Sequence, residues 1–348
     1  MKRSLIIFGF LLSLISASYL ISEIDWRQVG RALREVQIGW LGGTFVVYYS
    51  GVVIRAIRWK GLFPSHHAPP VIRLFRSILV GQAFNNILPS GRVGEWLRAA
   101  HVSQSKEVSF AVAFGTILAE RLLDGITLLG FFFLSMQWLP PISESFQISF
   151  SGFDVNARLL FGFIDKLAIL SGCLIVGILL LVQPHFRNGI MKAWGMLPLP
   201  SAWISIARRL MEGFIEGLSS IVQPQRFWRL MTFSLLMWML NVLAAMTLSR
   251  GFSGIEMGLI QAIALVVFQS LATMIPAAPG YWGVYEAGMI LGFGLLQLHD
   301  DQEIALAYGL VMHLIFFAPT TLVGLWVAAK DSLSPKSANK ALNNESTR

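Results

Sequence analysis

A series of apolar runs, each close to the length of a membrane-crossing helix, leaves this chain almost no material for a soluble core. The runs lie at about 4–22, 38–60, 72–89, 107–138, 166–183, 229–249, 257–276, 284–298 and 303–329. Charged or Pro/Gly-rich segments separate them, which is the pattern of membrane helices. Composition agrees. Charged residues make up 13% of the 348 residues and hydrophobic ones 55%, whereas a soluble domain carries roughly 25% charged residues. The net charge of +8 reads as membrane topology, because no soluble basic face suited to nucleic acid is visible. Cys173 is the only cysteine, so a disulfide framework and a cysteine metal site are excluded.

The first run follows Met1-Lys2-Arg3 and has the look of a signal peptide, with Ser16-Ala17-Ser18 as a weak cleavage site. About 18 apolar residues suffice to span, however, and the expectation is a retained first helix. Residues 24–36 place apolar side chains at Ile24, Val29, Leu33 and Val36 among charges, as a short amphipathic helix at the interface does. The stretch 185–228, with Trp194, Trp203 and Trp228 among basic residues, is read as surface too.

Cationic loops mark the cytoplasmic side. Arg55, Arg58, Lys60, Arg73 and Arg76 form one basic region, and Arg187, Lys192, Arg208, Arg209, Arg226 and Arg229 a second. Segments 23–36, 139–166 and 299–303 are balanced or acidic and are placed outside. Threading the chain through these constraints puts both termini in the cytoplasm. It also makes 72–106 enter and leave from the inside, and 257–298 enter and leave from the outside.

Both of those segments are broken. The first reads Asn85-Asn86-Ile87-Leu88-Pro89-Ser90-Gly91-Arg92-Val93-Gly94-Glu95-Trp96-Leu97-Arg98, the second Pro276-Ala277-Ala278-Pro279-Gly280-Tyr281-Trp282-Gly283-Val284-Tyr285-Glu286. Helices interrupted by Pro and Gly at corresponding places in two halves point to a transporter's binding site. The expected fold is therefore an all-α polytopic membrane protein with about six full spans and two broken, re-entrant hairpins in an inverted-topology repeat. Eight or so full spans have the same parity and stay open as an alternative. One transmembrane domain is expected over 1–330, with repeats at about 1–138 and 166–330, followed by a polar, disordered cytoplasmic tail at 331–348.

Charges inside membrane segments cost at least about 2.5–3.5 kcal/mol each at a helix centre, so they line a cavity or pair. Arg92, Glu95 and Arg98 follow the first break on one helical face. Glu120 and Asp124 share a face of another helix, with Arg121 beside them, and Glu286 follows the second break. Structural salt bridges are the plainer reading, evenly weighed for the Glu120 group and disfavoured for the residues at the breaks. Asn85 and Asn86 either cap the break or contact a headgroup. His313 reads as a hydrogen-bonded packing histidine. Pro89, Gly91, Gly94, Pro276, Pro279, Gly280 and Gly283 are the hinge candidates. No metal cluster, Walker lysine or Gly-x-Ser-x-Gly elbow occurs, and no cofactor is expected.

Taken together, Arg58-Trp59, Asn86-x-x-Pro89-x-x-Arg92-x-Gly94-Glu95-x-x-Arg98, Glu120-Arg121-x-x-Asp124 and Pro276-x-x-Pro279-Gly280-x-x-Gly283-x-x-Glu286 resemble the lysylphosphatidylglycerol synthase transmembrane region, the flippase-like or UPF0104 family. The resemblance covers roughly residues 5–330. It implies a protein that handles lipids: a phospholipid, an aminoacyl-phospholipid or an isoprenoid-linked glycolipid. Bifunctional relatives carry a soluble aminoacyl-transferase domain after this region, and the sequence ends instead in a polar tail, which implies a stand-alone member. The expected function is lipid transport between the leaflets of a bacterial cytoplasmic (inner) membrane, with membrane lipids and a lipid or glycan biosynthetic enzyme as partners. A lipid-modifying transferase or hydrolase using Glu120 and Asp124, and a non-catalytic scaffold, are the competing readings.

Overall fold

A computed structural model describes residues 24–63, 68–88, 93–104, 107–139, 147–150, 153–156, 223–273 and 278–332, with isolated positions between them. The runs expected at 4–22 and 166–183, the surface stretch 185–222 and the tail after 332 lie outside the described residues.

The chain is helical, as its apolar runs require. Helix α1 covers Trp26–Glu35, α2 Ile38–Leu62, α3 Val71–Ile87, α4 Val93–Ser103 and α5 Phe110–Trp138. Two short strands follow, β1 at Gln147–Phe150 and β2 at Phe153–Asn156, paired antiparallel. This small hairpin sits within the 139–166 loop, and the fold around it is the expected helical one. Its alternation of Ile148 and Phe150 with polar residues suits a strand. Then come α6 (Pro224–Ser249), α7 (Leu259–Ala272), a 3-10 turn at Pro279–Tyr281, α8 (Val284–Leu295) and α9 (Gln302–Ser332).

Helices α2, α6 and α9 are long and apolar enough to cross a membrane. At 29 residues α5 has the length as well, but it carries Glu120, Arg121 and Asp124 at its middle. Large apolar side chains face outward, including Ile38, Val46, Leu322 and Val323, and exposed tryptophans sit near helix ends at Trp138, Trp228 and Trp326. Lipid-facing helices with interfacial tryptophans look like this. The amphipathic α1 starts at Asp25, whose side chain accepts from the Arg27 N–H at 2.9 Å, and buries only Val29.

Two antiparallel hairpins stand between the long helices. In the first, Ser77 meets His101, Gly81 lies against Arg98, and the Gly94 N–H donates to Asn85 Oδ1 at 2.8 Å, so α3 and α4 run side by side. In the second, Gln261 Nε2 donates to the Leu296 carbonyl at 3.1 Å, Leu265 packs on Gly292, and Gln269 on Gly288, which pairs α7 with α8. Glycines make these approaches possible. A Cβ on Gly94 would stand 1.9 Å from the Gly81 carbonyl oxygen, and one on Gly324 of α9 would stand 2.2 Å from that of Leu79. Membrane helices gain their affinity from such backbone proximity, because lipid offers no hydrophobic drive between them.

The contacts recur in pairs. The first arm of each hairpin packs on the last helix of the other half: α3 on α9, and α7 on α5. The second arms pack within their own half, α4 on α5 and α8 on α9, while α2 and α6 pack on each other. One cross-half tie repairs a defect in the backbone. Pro319 lies inside α9 and has no N–H for the Ile315 carbonyl four residues back. The Tyr49 hydroxyl of α2 donates to that carbonyl instead, at 3.1 Å.

Two stability effects are expected in detergent-solubilised protein. Gly94→Ala forces α3 and α4 apart and lowers stability by about 1–3 kcal/mol, whereas Gly125→Ala, whose added Cβ meets nothing within 4 Å, is neutral or stabilising. Tyr49→Phe orphans the Ile315 carbonyl and costs about 1–3 kcal/mol. Thermal unfolding of the purified variants measures both.

Candidate functional site: an arginine-lined cavity between two hairpins

Where the long helices and both hairpins converge lies a cavity of about 350 Å³. Every core helix contributes to its wall: Tyr48 and Arg55 from α2, Gln82 and Asn85 from α3, Glu95 and Arg98 from α4, and Arg121 and Asp124 from α5. Trp238 and Asn241 of α6, Gln269 of α7, Tyr285 of α8 and Tyr308 of α9 complete it. Its size is that of a small-ligand or headgroup site.

One wall is an ionic node built on Glu120, which has no exposure. Arg55 Nε lies 2.7 Å from Glu120 Oε1, and Arg98 grips both carboxylate oxygens, Nη2 to Oε2 at 2.7 Å and Nη1 to Oε1 at 3.2 Å. Arg121 Nη2 reaches Oε1 at 3.1 Å and Arg58 Nη2 at 3.5 Å. Asp124, one helical turn on, takes Arg58 Nη1 at 2.7 Å, Arg121 Nη1 at 3.5 Å and the Trp238 indole N–H at 3.3 Å. Glu95 faces Arg121 Nε at 3.5 Å. Arg98 also lies 3.6 Å above the Trp59 ring, whose π face favours a cation.

Among the described residues four arginines thus meet three carboxylates, an excess of one positive charge in the node. Burying an ion costs several kcal/mol, recovered only with good geometry and complete pairing. Arg58 and Glu120 lie wholly inside, while the side chains of Arg55 and Arg121 keep 18% and 33% of their surface. The inner pairs are therefore structural. The partly open guanidinium groups present the surplus charge to the cavity, and guanidinium forks match phosphate or carboxylate oxygens in bidentate fashion.

The break in the second hairpin has a different chemistry. Glu286 is buried, as is His313 on α9, and His313 Nδ1 lies 2.6 Å from Glu286 Oε1. The Gly283 N–H donates to Glu286 Oε2 at 2.7 Å, and His313 Nε2 lies 2.8 Å from the Gly280 carbonyl oxygen. Gly280 and Gly283 have φ of +73° and +84°, values that suit glycine.

Spacing put Glu95 and Arg98 on one helical face and Glu120 and Asp124, with Arg121 beside them, on another; the fold brings the two groups together. Asn86 lines the same cavity but is no part of the ionic node: its Nδ2 donates to Thr321 Oγ1 at 2.8 Å and ties α3 to α9. Glu286 stands apart with His313. Among the hinge candidates Gly94, Pro279, Gly280 and Gly283 lie at the breaks, while Pro89, Gly91 and Pro276, and with them the site candidate Arg92, lie outside the described residues. Arg55 and Arg58 correct the sequence reading, which counted them as cytoplasmic loop charges. They sit inside α2, one turn apart on one face, and supply half the arginines of the node. That three-residue spacing within an apolar run was the available signal. Among the described residues no His, Cys, Asp and Glu side chains converge to hold a metal ion.

Removing one partner from this node strands the others. Glu120→Gln is expected to lower stability by about 3–5 kcal/mol, seen as a large fall in thermal midpoint and in the yield of monodisperse protein. Arg27→Ala, on the exposed face of α1, is expected to change neither.

The profile of the lysylphosphatidylglycerol synthase transmembrane region matches residues 6–324. A UPF0104 membrane protein of Pyrococcus horikoshii is 19% identical over 91% of this chain and 96% of its own length. A UPF0104 membrane protein of Methanothermobacter thermautotrophicus is 24% identical over 72% of this chain and 73% of its own. The glycosyltransferase AglD of Haloferax volcanii is 22% identical over 93% of this chain, which spans about half, 54%, of that protein's length. These relatives are archaeal. No solved structure matches significantly. On the breadth of the profile match, the chain belongs to the lysylphosphatidylglycerol synthase transmembrane-region family of membrane proteins.

Proposed function

We propose that this protein carries the anionic headgroup of a lipid between leaflets, through the cavity between its hairpins. The observation that carries this reading is the surplus positive charge that Arg55 and Arg121 present to a headgroup-sized space inside an apolar helix bundle. A phosphate there completes the pairing that three carboxylates leave short. Acyl chains stay among the outward-facing apolar side chains while the headgroup crosses.

The same reading makes the hairpins re-entrant and the two halves an inverted-topology repeat. At 17, 11, 14 and 12 residues, their arms reach about 16–25 Å at 1.5 Å per residue, short of the roughly 30 Å hydrocarbon core. The recurring contact pairs support the repeat, as does the inversion of loop charge between the halves. Both termini are then cytoplasmic and the protein resides in the cytoplasmic membrane. Glu120 and Asp124 are held by arginines, which argues against their use as a catalytic acid and base and favours transport over an enzymatic role. The relation to a longer protein named as a glycosyltransferase favours a lipid or glycan enzyme as the working partner.

Reconstitution tests the reading. In proteoliposomes containing fluorescent phosphatidylglycerol, the protein is expected to make outer-leaflet label exchange with the inner leaflet. Arg121→Ala is expected to slow exchange by about tenfold or more, the loss of one charge-assisted hydrogen bond. Arg27→Ala is expected to match the unaltered protein. Absence of movement for every anionic lipid tried, from a folded preparation, sinks the proposal. Faster movement of a zwitterionic lipid than of phosphatidylglycerol reassigns the headgroup.

A further inference from the structure

The second hairpin is closed by a hydrogen-bond chain whose proton count follows from its partners. The Gly280 carbonyl can only accept, so His313 Nε2, 2.8 Å away, carries a hydrogen. The Gly283 N–H can only donate, and it occupies Glu286 Oε2 at 2.7 Å. One short contact is left, His313 Nδ1 to Glu286 Oε1 at 2.6 Å. Two lone pairs cannot share that distance, so a proton lies between them, whether assigned to a carboxylic acid or to an imidazolium.

We infer that the Glu286–His313 pair is a proton-binding site that latches the break of the second hairpin to α9, and that its proton is the coupling ion for movement of that hairpin. Coupling to lipid rests on the transport reading above; the site and the latch do not. With the proton bound, the pair is neutral overall and holds the Gly280 carbonyl against α9. When the proton leaves to water, the pair becomes an anion in a closed apolar box, with the Nδ1 and Oε1 lone pairs opposed. The Nδ1 contact is lost and the break is released from α9.

The surroundings suit a site whose charge state matters. Aromatic groups enclose His313: Trp282 at 4.3 Å, Tyr285 at 4.4 Å, Phe316 at 4.9 Å and Phe317 at 5.6 Å between ring centroids. The titratable groups facing the pair are tyrosines: Tyr285 from α8, with Tyr48 of α2 and Tyr308 of α9 within electrostatic range of it. From α7 the approach is the neutral Gln269, which donates to the Tyr285 carbonyl at 3.4 Å. Arg55 of α2 acts on Tyr48 in turn. Among the described residues no lysine or arginine forms an ion pair with Glu286.

One residue of the break is strained. Tyr281 lies between the two glycines with φ of +63°, a conformation that disfavours a bulky residue. A Cβ on Gly280 would lie 2.7 Å from Phe317, so α9 presses closely on the turn. Tyr281, Tyr285 and Met312 line the cavity, each adjacent in sequence to a member of the chain. Release of the latch therefore reshapes the part of the cavity wall that these three residues form.

The test uses the full chain, labelled with 5-fluorotryptophan and held in lipid nanodiscs, with the Trp282 fluorine resonance assigned from Trp282→Phe. That resonance is expected to titrate with pH as a single proton is lost. In Glu286→Gln, the carboxamide N–H donates to Nδ1 in place of the removable proton, so the resonance is expected to stay at the latched position at every pH. His313→Gln is expected to remove the titration too, and unchanged resonances from the other tryptophans report that each variant is folded. In proteoliposomes, a pH difference of one unit is worth about tenfold per coupled proton. Lipid movement by the unaltered protein is expected to follow that gradient, and movement by Glu286→Gln to ignore it. A Trp282 resonance that does not titrate, or that titrates equally in Glu286→Gln, overturns the proton site. Titration without any lipid movement upholds the site and removes the transport reading instead.

Discussion

Glu120 has no contact with solvent, yet four guanidinium groups from three helices reach toward it. That carboxylate decides where the rest of the first half sits. Arg55 and Arg58 fix the rotation of α2, Arg98 fixes the height of α4, and Arg121 turns the surplus charge toward the cavity. An ion in an apolar bundle tolerates no slack, because its desolvation is offset only when every partner is in place. The node is a poor source of net stability and a strong source of register. It also explains why α5 carries a charged centre while α2, α6 and α9 keep theirs apolar.

The glycines make the node possible. Arg98 can reach Glu120 only if α4 lies against α3, and Gly81 and Gly94 let those backbones touch. Gly324 does the same for α3 on α9, and Gly288 and Gly292 do it for the second hairpin. Close backbone packing and polar ties such as Asn86 to Thr321 are what hold helices together where burial of apolar surface is no longer a driving force.

Much of this was legible in the chain. Among the described residues the apolar runs matched α2, α3 and α5 to α9 to within about five residues, the amphipathic stretch matched α1, and the Pro/Gly interruptions fell where α3 passes to α4 and α7 to α8. Spacing grouped Glu95 with Arg98, and Glu120 with Asp124 and the adjacent Arg121. The reading stopped where partners come from distant sequence. Arg55 and Arg58 looked like loop cations because charge counting assigns basic residues near a helix end to the loop. In the folded chain α2 continues to Leu62, about two turns past Arg55. His313 was read as a packing histidine, and it is hydrogen-bonded, but its partner Glu286 lies across a hairpin. The strands at 147–156 fell in a loop whose short alternation was outweighed by its surroundings.

The two hairpins place different chemistry after their breaks. Glu95 and Glu286 are each the third residue of the short helix that follows a break. Each then meets a partner about three turns from the start of a long helix, Arg121 of α5 for Glu95 and His313 of α9 for Glu286. In the first half the partners are arginines, charged at any physiological pH, and the node is permanent. In the second the partner is a histidine, the one side chain whose ordinary range lies near neutrality, and the contact depends on a single proton. A fixed cationic wall holds an anion; a removable proton elsewhere on the wall changes the shape around it. Two arms built alike but partnered differently, one by arginine and one by histidine, give one cavity both a binding surface and a latch.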